Sequence, residues 1–447
     1  MKKTILILED DDERIAAFQK AVASLGDRFE VKVWRDASSM CAECEQYFPT
    51  AALISLDHDL NAAPGCAGEP GCGLDVAQFL ADFPAVCPVL IHSSNTDRVY
   101  SMHNELRFAG WMADTVGPLG VDWIETSWLK RVREILAEHP NTWRTELPPD
   151  HAARVERMRL SLDGLGLGDA LGEMLCYRSD MAAQWLRSKI AVAGPWIHTD
   201  DTEMAISICA TLKSHGFIHQ DALAKRFARR FERDPDRGYG KMTRIQLRDI
   251  MAGAKWRHTA ANAFGGQGSM GNGGAMRVAP LGAYFANDLE RCVAEARASS
   301  LVTHTHPEGV AGTIAVAAAA AMAWQLREAS PLARPGKFFE ALLQHTPESK
   351  VRRGILLASQ MPRETPAQDA AKALGNGSLV TAPDTVPFCV WIAAHHSTDF
   401  VEALAHTIPA GGDCDTNAAI VSGIVSLSAG RESIPAEWFK AREPVQI

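Results

Sequence analysis

The chain has no surplus of positive charge: 45 Lys and Arg stand against 54 Asp and Glu in 447 residues, a net −9. That balance argues against non-specific attraction to a polyanion, though it leaves room for a local basic groove. A secretory leader is not expected either. Met1-Lys2-Lys3 and the run Thr4–Leu8 are too short for one and lead straight into five acids, Glu9 to Glu13. The ten cysteines have no regular spacing, as expected of reduced thiols in a cytoplasmic protein. Cys41, Cys44, Cys66 and Cys72 are the best zinc candidates, but the second pair is too widely spaced for a knuckle. Residues 310–326 form the longest apolar run. It is weakly hydrophobic and alanine-rich, and it reads as a buried core helix with no place in a membrane. No internal repeat recurs at a fixed period.

Two stretches with different grammar remain. Over residues 1–140, short β-rich runs alternate with helical ones. Strands are expected at 4–8, 29–34, 52–56, 87–91 and near 111–116, and helices at about 12–25, 37–47, 73–83, 98–109 and 127–138. Five βα repeats imply an α/β, flavodoxin-like unit with five parallel strands covered on both faces. A Pro-rich polar stretch marks a linker at 141–152. From 153 to 447 the strand signal disappears, and long helical segments punctuated by Gly, Pro and Asn predict an all-α domain.

The helical part carries two acidic clusters, Thr199-Asp200-Asp201-Thr202-Glu203 and Gly411-Gly412-Asp413-Cys414-Asp415-Thr416, each just before an apolar helical run. Such residues suit helix N-caps, and Asp200 with Glu203 has the spacing of a capping box. Capping explains one side chain per helix, however, and not two acids plus hydroxyls twice over. Adjacent carboxylates beside a core repel and are costly to desolvate unless a cation neutralises them. Hard oxygen ligands select Mg²⁺, Mn²⁺ or Ca²⁺. If the clusters meet in space, they form a two-metal site.

Further landmarks are Gly166-Leu167-Gly168-Asp169-Ala170-Leu171-Gly172, the loop Gly271-Asn272-Gly273-Gly274-Ala275-Met276-Arg277, and Thr303-His304-Thr305-His306-Pro307-Glu308. In this order, with the two acidic clusters, they resemble the ADP-ribosylglycohydrolase family over nearly all of residues 155–430. The resemblance implies an all-α fold with a binuclear Mg²⁺ or Mn²⁺ centre held by Thr199, Asp200, Asp201, Asp413, Asp415 and Thr416. It implies hydrolysis at the anomeric carbon of an ADP-ribosyl group on a protein side chain or a nucleic-acid end. Such a reaction passes through an oxocarbenium-like state to which a positioned water adds. Two ions roughly 3.5–4 Å apart suit that task. Asp169, Gly271, Asn272, Gly273, Gly274, Met276 and His304 are the expected substrate contacts, with loop amides cradling the diphosphate and Phe264 or Trp256 stacking on adenine. Asp201 and Asp415 are assigned proton transfer. Many family members carry a glutamate several residues after the Gly-Asp-Ala-Leu-Gly motif. Here Leu175-Cys176-Tyr177 fills that place, so Glu173 or a metal-bound aspartate takes the part.

In the first unit, polar residues follow the expected strands: Glu9 and Asp10, then Asp57, His58 and Asp59, then His92, Ser93, Ser94 and Asn95. This resembles a response-regulator receiver, except that Gly117-Pro118 stands where receivers keep a lysine. The strings around Asp57 and His92 are more similar to the cyclic-phosphate-processing receiver-like domains, which implies an acid–base site of Asp10, Asp57, His58, Asp59, His92 and Asn95. The competing readings are a signalling protein switched by phosphorylation at Asp57, and an inactive ADP-ribose reader.

Overall fold

The structure, a computed structural model, describes residues 2–61, 69–83, 85–138, 147–176, 179–330 and 333–447. The chain divides into two compact units, Met1–Pro148 and Pro149–Ile447. Half of the expected linker lies outside the described residues, and its last two positions already belong to a helix that begins at His151.

The first unit runs β1 (Lys3–Leu8), α1 (Asp12–Ala23), β2 (Phe29–Trp34), α2 (Ala37–Glu43), β3 (Ala51–Leu56), α3 (Gly73–Leu80), β4 (Val89–Ile91), α4 (Thr96–Phe108), β5 (Ala113–Thr115) and α5 (Leu129–Glu138). All strand pairs are parallel, in the order β2-β1-β3-β4-β5. Successive side chains alternate faces. Ile5, Ile7 and Leu53 pack with Phe18 and Trp128 on one side, while Leu6, Leu8 and Ile54 pack with Met40, Val76 and Met102 on the other. This is the expected receiver-like sheet. Its order reverses between β1 and β3, which opens a crevice at their carboxyl ends.

The second unit is helical throughout. It comprises α6 (His151–Leu175), α7 (Ser179–Ser188), α8 (Asp200–His215), α9 (Gln220–Arg233), α10 (Lys241–Met251) and α11 (Trp256–Gly266). There follow α12 (Ala279–Tyr284), α13 (Leu289–Leu301), α14 (Pro307–Gln325), α15 (Arg334–His345) and α16 (Lys350–Gln360). The last are α17 (Ala367–Leu374), α18 (Ala382–His395), α19 (Phe400–Thr407), α20 (Cys414–Ala429) and α21 (Ala436–Ala441). Helix α14 is the alanine-rich run. It is long and apolar enough to cross a membrane, yet 83% of its apolar window is buried among α12, α13, α18 and α20.

The contact that places the chemistry is α6 against α20. Gly164, Gly168 and Gly172 recur every four residues, so they share one face of α6. A Cβ at Gly164 would sit 2.6 Å from the Ser422 carbonyl, and one at Gly172 would sit 2.5 Å from that of Cys414. Only glycine lets the backbones approach so closely. The glycine motif therefore lies inside a helix, and it sets Asp169 beside the start of α20.

Candidate active site

Thr199 and Asp413 occupy the N-cap positions of α8 and α20, and neither side chain bonds to its helix's first amides. The capping explanation fails, and the acids turn elsewhere. Oxygens of Asp169, Asp201 and Asp415 all lie within 4.8 Å of one another. Asp201 Oδ1 is buried without a partner, while its Oδ2 accepts from Thr199 Oγ1 at 3.1 Å. Burial, then the charges of Asp169 and Asp415, push Asp200 and Asp201 well above the ordinary carboxylate range. Burial and Asp415 raise Asp413 to about 7. Burial raises Asp169 to about 6, against the opposing bond from Thr202. This all-oxygen, mutually repelling set fits hard divalent cations.

Asp169, expected to touch substrate, is fully buried and does not line the cavity. It accepts from the amides of Thr199 and Thr202, each at 3.0 Å, and from both their hydroxyls, at 2.9 and 2.5 Å. Its work is to hold the first turn of α8 against α6. Glu203 is turned away as well: His198 Nε2 lies 3.1 Å and Arg230 Nη1 2.6 Å from its carboxylate. Despite burial, these partners lower Glu203 to about 2. His198 Nδ1 is 3.3 Å from Glu443, which also pairs with Arg237. The Arg237 carbonyl in turn accepts from the Asp200 amide at 2.6 Å.

A cavity of about 670 Å³ opens over this floor. Asp200, Asp201, Asp413, Asp415 and Thr416 line it, and Gly271, Asn272, Gly273, Met276 and His304 form a wall. Thr199, Gly274 and Glu173 do not line it. Gly274 instead serves packing, because a Cβ there would run into Thr313 Oγ1. The loop is also a poorer phosphate cradle than expected. The Gly271 amide is taken by Ser269 Oγ, the Asn272 amide by the Val380 carbonyl, and those of Ala275 and Met276 by the Asn272 carbonyl. Asn272 steadies a carboxylate, donating to Asp413 Oδ2 at 2.7 Å and to Thr385 Oγ1 at 3.1 Å.

Arg277, which the sequence reading leaves without a role, is fully buried behind the acids. It donates to Thr303 Oγ1 at 2.8 Å, stacks over Phe227, and is lowered to about 9 by burial, with Asp200 opposing. Thr303 Oγ1, accepting from Arg277, also lies 2.7 Å from His304 Nδ1. Burial and Arg277 lower His304 to about 3, so its ring is neutral. Phe264 lines the cavity, half exposed at φ +53°, whereas Trp256 is buried, bonded to Asp221 and absent from the wall.

Glu173 is exposed near the end of α6, raised by residual burial and Asp415. Three residues on, Cys176 forms a disulfide with Cys414, the residue between Asp413 and Asp415; their Cα atoms are 5.7 Å apart. The expectation of uniformly reduced thiols fails here. Tyr177 lies outside the described residues, as does Cys66. Among the described residues, Cys41, Cys44 and Cys72 belong to no cluster of metal-ligand atoms.

In the first unit, Glu9, Asp10 and Asp57 form a second acidic group at the β1/β3 crevice. Arg14 Nη1 lies 3.7 Å from Glu9 and 3.5 Å from Asp57, and His92 Nε2 lies 3.5 Å from Glu9. Trp128 Nε1 donates to Ser55 Oγ, itself 2.8 Å from His92 Nδ1. His58 Nδ1 and Asn95 Nδ2 both meet Asp59 Oδ1, at 2.8 and 3.3 Å. Asp10 is engaged by the amide and side chain of Asn61. Burial raises Asp57. In Glu9 the bond and charge of His92, with Arg14 and the Asp11 amide, outweigh burial and lower it.

An all-helical unit thus gathers buried carboxylates from two helix starts beneath one cavity, an all-oxygen set of the kind that suits hard cations. The family profile of ADP-ribosylglycohydrolase matches residues 150–446, and the chain belongs to that family. Residues 5–108 match the cyclic-phosphate processing receiver domain. Curated relatives include ADP-ribosylhydrolase ARH3 of Xenopus tropicalis, 29% identical over 65% of this chain and 92% of the relative. The mouse protein of that name is 26% identical over 65% of this chain and 89% of its own length. ADP-ribosyl-[dinitrogen reductase] glycohydrolase of Rhodospirillum rubrum is 24% identical over 62% and 86%.

Proposed function

We propose that the helical unit hydrolyses the bond between the anomeric carbon of a mono-ADP-ribosyl group and its macromolecular target. The observation that carries this reading is the meeting of Asp200, Asp201, Asp413, Asp415 and Thr416 on one cavity floor in a family of ADP-ribosylglycohydrolases. Those residues, with Thr199, would hold two Mg²⁺ or Mn²⁺ ions, which when bound supply charge to acidify water and fix ribose hydroxyls.

The chain's own groups divide the remaining work. Asp169 holds the first turn of α8, and Asn272 orients Asp413. His304, a neutral ring on the cavity wall, faces a phosphate or ribose oxygen, and Phe264 offers a face for adenine. A proton leaves the attacking water as it adds to the anomeric carbon. Asp201, raised by burial and neighbouring carboxylates, or Asp415 close beside it accepts it. Glu173, next to Asp415 but outside the cavity wall, would donate to the leaving group after a movement of the α6 end.

The test is a panel of ADP-ribosylated arginine, serine, acetyl ester and nucleic-acid ends, assayed with Mg²⁺ and Mn²⁺. Asp200→Ala and Asp415→Ala should lose ADP-ribose release while keeping their circular dichroism. Full activity in both variants would overturn the reading.

A further inference from the structure

The net charge of the chain is negative, but one segment beside the cavity reverses it. Between Asp221 and His258 lie eleven of the chain's 45 Lys and Arg and only five of its 54 Asp and Glu. Arg233, Lys241, Arg248, Lys255 and Arg257 are exposed. On α10 the charges have helical order. Lys241, Arg244 and Arg248, with Ile245, recur at three- and four-residue spacing and share a face. Lys241 and Ile245 line the cavity mouth, and Arg248 lies one turn beyond, about 10 Å from Lys241 along the axis. Local acids offset the stripe only in part: Asp234 is held by Arg237, Asp221 bonds Trp256 and lies 3.6 Å from Arg257, and Asp236 is 3.8 Å from Arg244, while Glu232 and Asp249 are exposed.

We propose that this face of α10, continued by Lys255, is a track for the phosphate backbone of a single-stranded nucleic acid whose ADP-ribosylated end sits in the cavity. The proposal rests on the hydrolase reading above and narrows its target. Charge complementarity carries it: a polyanion leaving the cavity past Lys241 meets Arg248 on the same helix face and Lys255 just beyond its end. A backbone with a phosphate at every nucleotide matches cations repeated along one helix face. The match of the first unit to a domain that processes cyclic phosphates points the same way. Phosphate contacts of this kind give affinity without sequence preference and weaken with salt.

The experiment measures binding of a labelled, unmodified single-stranded oligonucleotide to the full chain by anisotropy across a salt series. A double charge reversal, Arg248→Glu with Lys255→Glu, is compared with Arg187→Glu, which lies on another helix. The track variant should weaken binding at least tenfold and make the salt slope shallower by about 1.4, or 0.7 per lost single-strand phosphate contact, with the Arg187 variant unchanged. On ADP-ribosylated oligonucleotide its KM should rise, while turnover of free ADP-ribosylated arginine stays at the wild-type rate. Equal affinity of variant and wild type, or no binding by wild type at physiological salt, would overturn the proposal. An absence of ADP-ribose release from every substrate would instead count against the hydrolase reading, since the binding measurement does not depend on it.

Discussion

Replacing Asp413 by Asn should make the metal-free protein more stable and the magnesium-loaded protein less so. Asp413 is raised from 3.8 to about 7 by burial and the Asp415 carboxylate. Its folded-state pKa is above its unfolded one, so stability is present at low pH and lost as pH climbs from about 4 through 7. At neutral pH the ionised carboxylate costs the chelated fold up to about 4 kcal/mol. Asn at 413 removes that charge, and its carbonyl still accepts from Asn272 Nδ2, so packing is kept. A net gain of about 2 kcal/mol in chelator corresponds to a rise of roughly 3 °C in Tm for a unit of this size. With Mg²⁺ at 100 times its Kd the wild type should gain about 2.7 kcal/mol, and the variant little. Thermal melts in EDTA and in Mg²⁺, at pH 5 and pH 7, read all four corners. A variant less stable than wild type in EDTA at pH 7 would refute the reasoning, because the site would then lack stored repulsion.

Glu203→Gln should cost about 3 kcal/mol near neutral pH, from its depression from 4.5 to about 2. That contribution is present above pH 4.5 and falls away between 4.5 and 2, so hydrogen exchange of the α8 amides should show the deficit shrinking by about half at pH 3. Reducing the Cys176–Cys414 bond, or Cys176→Ser, opens a tether spanning 238 residues. A chain-entropy estimate puts this near 5 kcal/mol, and Tm should fall with reductant in wild type but not in the variant; peptide mapping that finds both thiols free would sink the point. Gly168→Ala should destabilise by about 2 kcal/mol or more, since its Cβ meets the Ser422 side chain and the Ala418 carbonyl. Denaturant titration checks it, and a neutral result would mean that α6 and α20 have room to part.

The sheet was legible because its signal is local: apolar runs such as Thr4–Leu8 and Ala52–Leu56 end in polar residues at the strand's carboxyl edge. The helical domain was legible from the loss of that alternation. The site was less so. Paired acids at two helix starts announce unusual chemistry, but side-chain direction is not in the spacing. Glu203 sits one position past Thr202 yet faces Arg230, and Asp169 faces protein where substrate was expected. Arg277 and the Cys176–Cys414 bond escaped for a different reason. Each gains its meaning from partners tens to hundreds of residues away, joined only by helix packing. The four-residue glycine repeat in α6 was the available clue to that packing.

The most direct measurement of the central claim is a titration of the chelator-treated full chain with Mn²⁺, counting bound ions by electron spin resonance. The account predicts two ions per chain in the helical unit, with that binding lost in Asp201→Asn and kept when Asp57→Asn alters the first unit. Undiminished manganese binding in Asp201→Asn, or none in the unaltered protein, would contradict it.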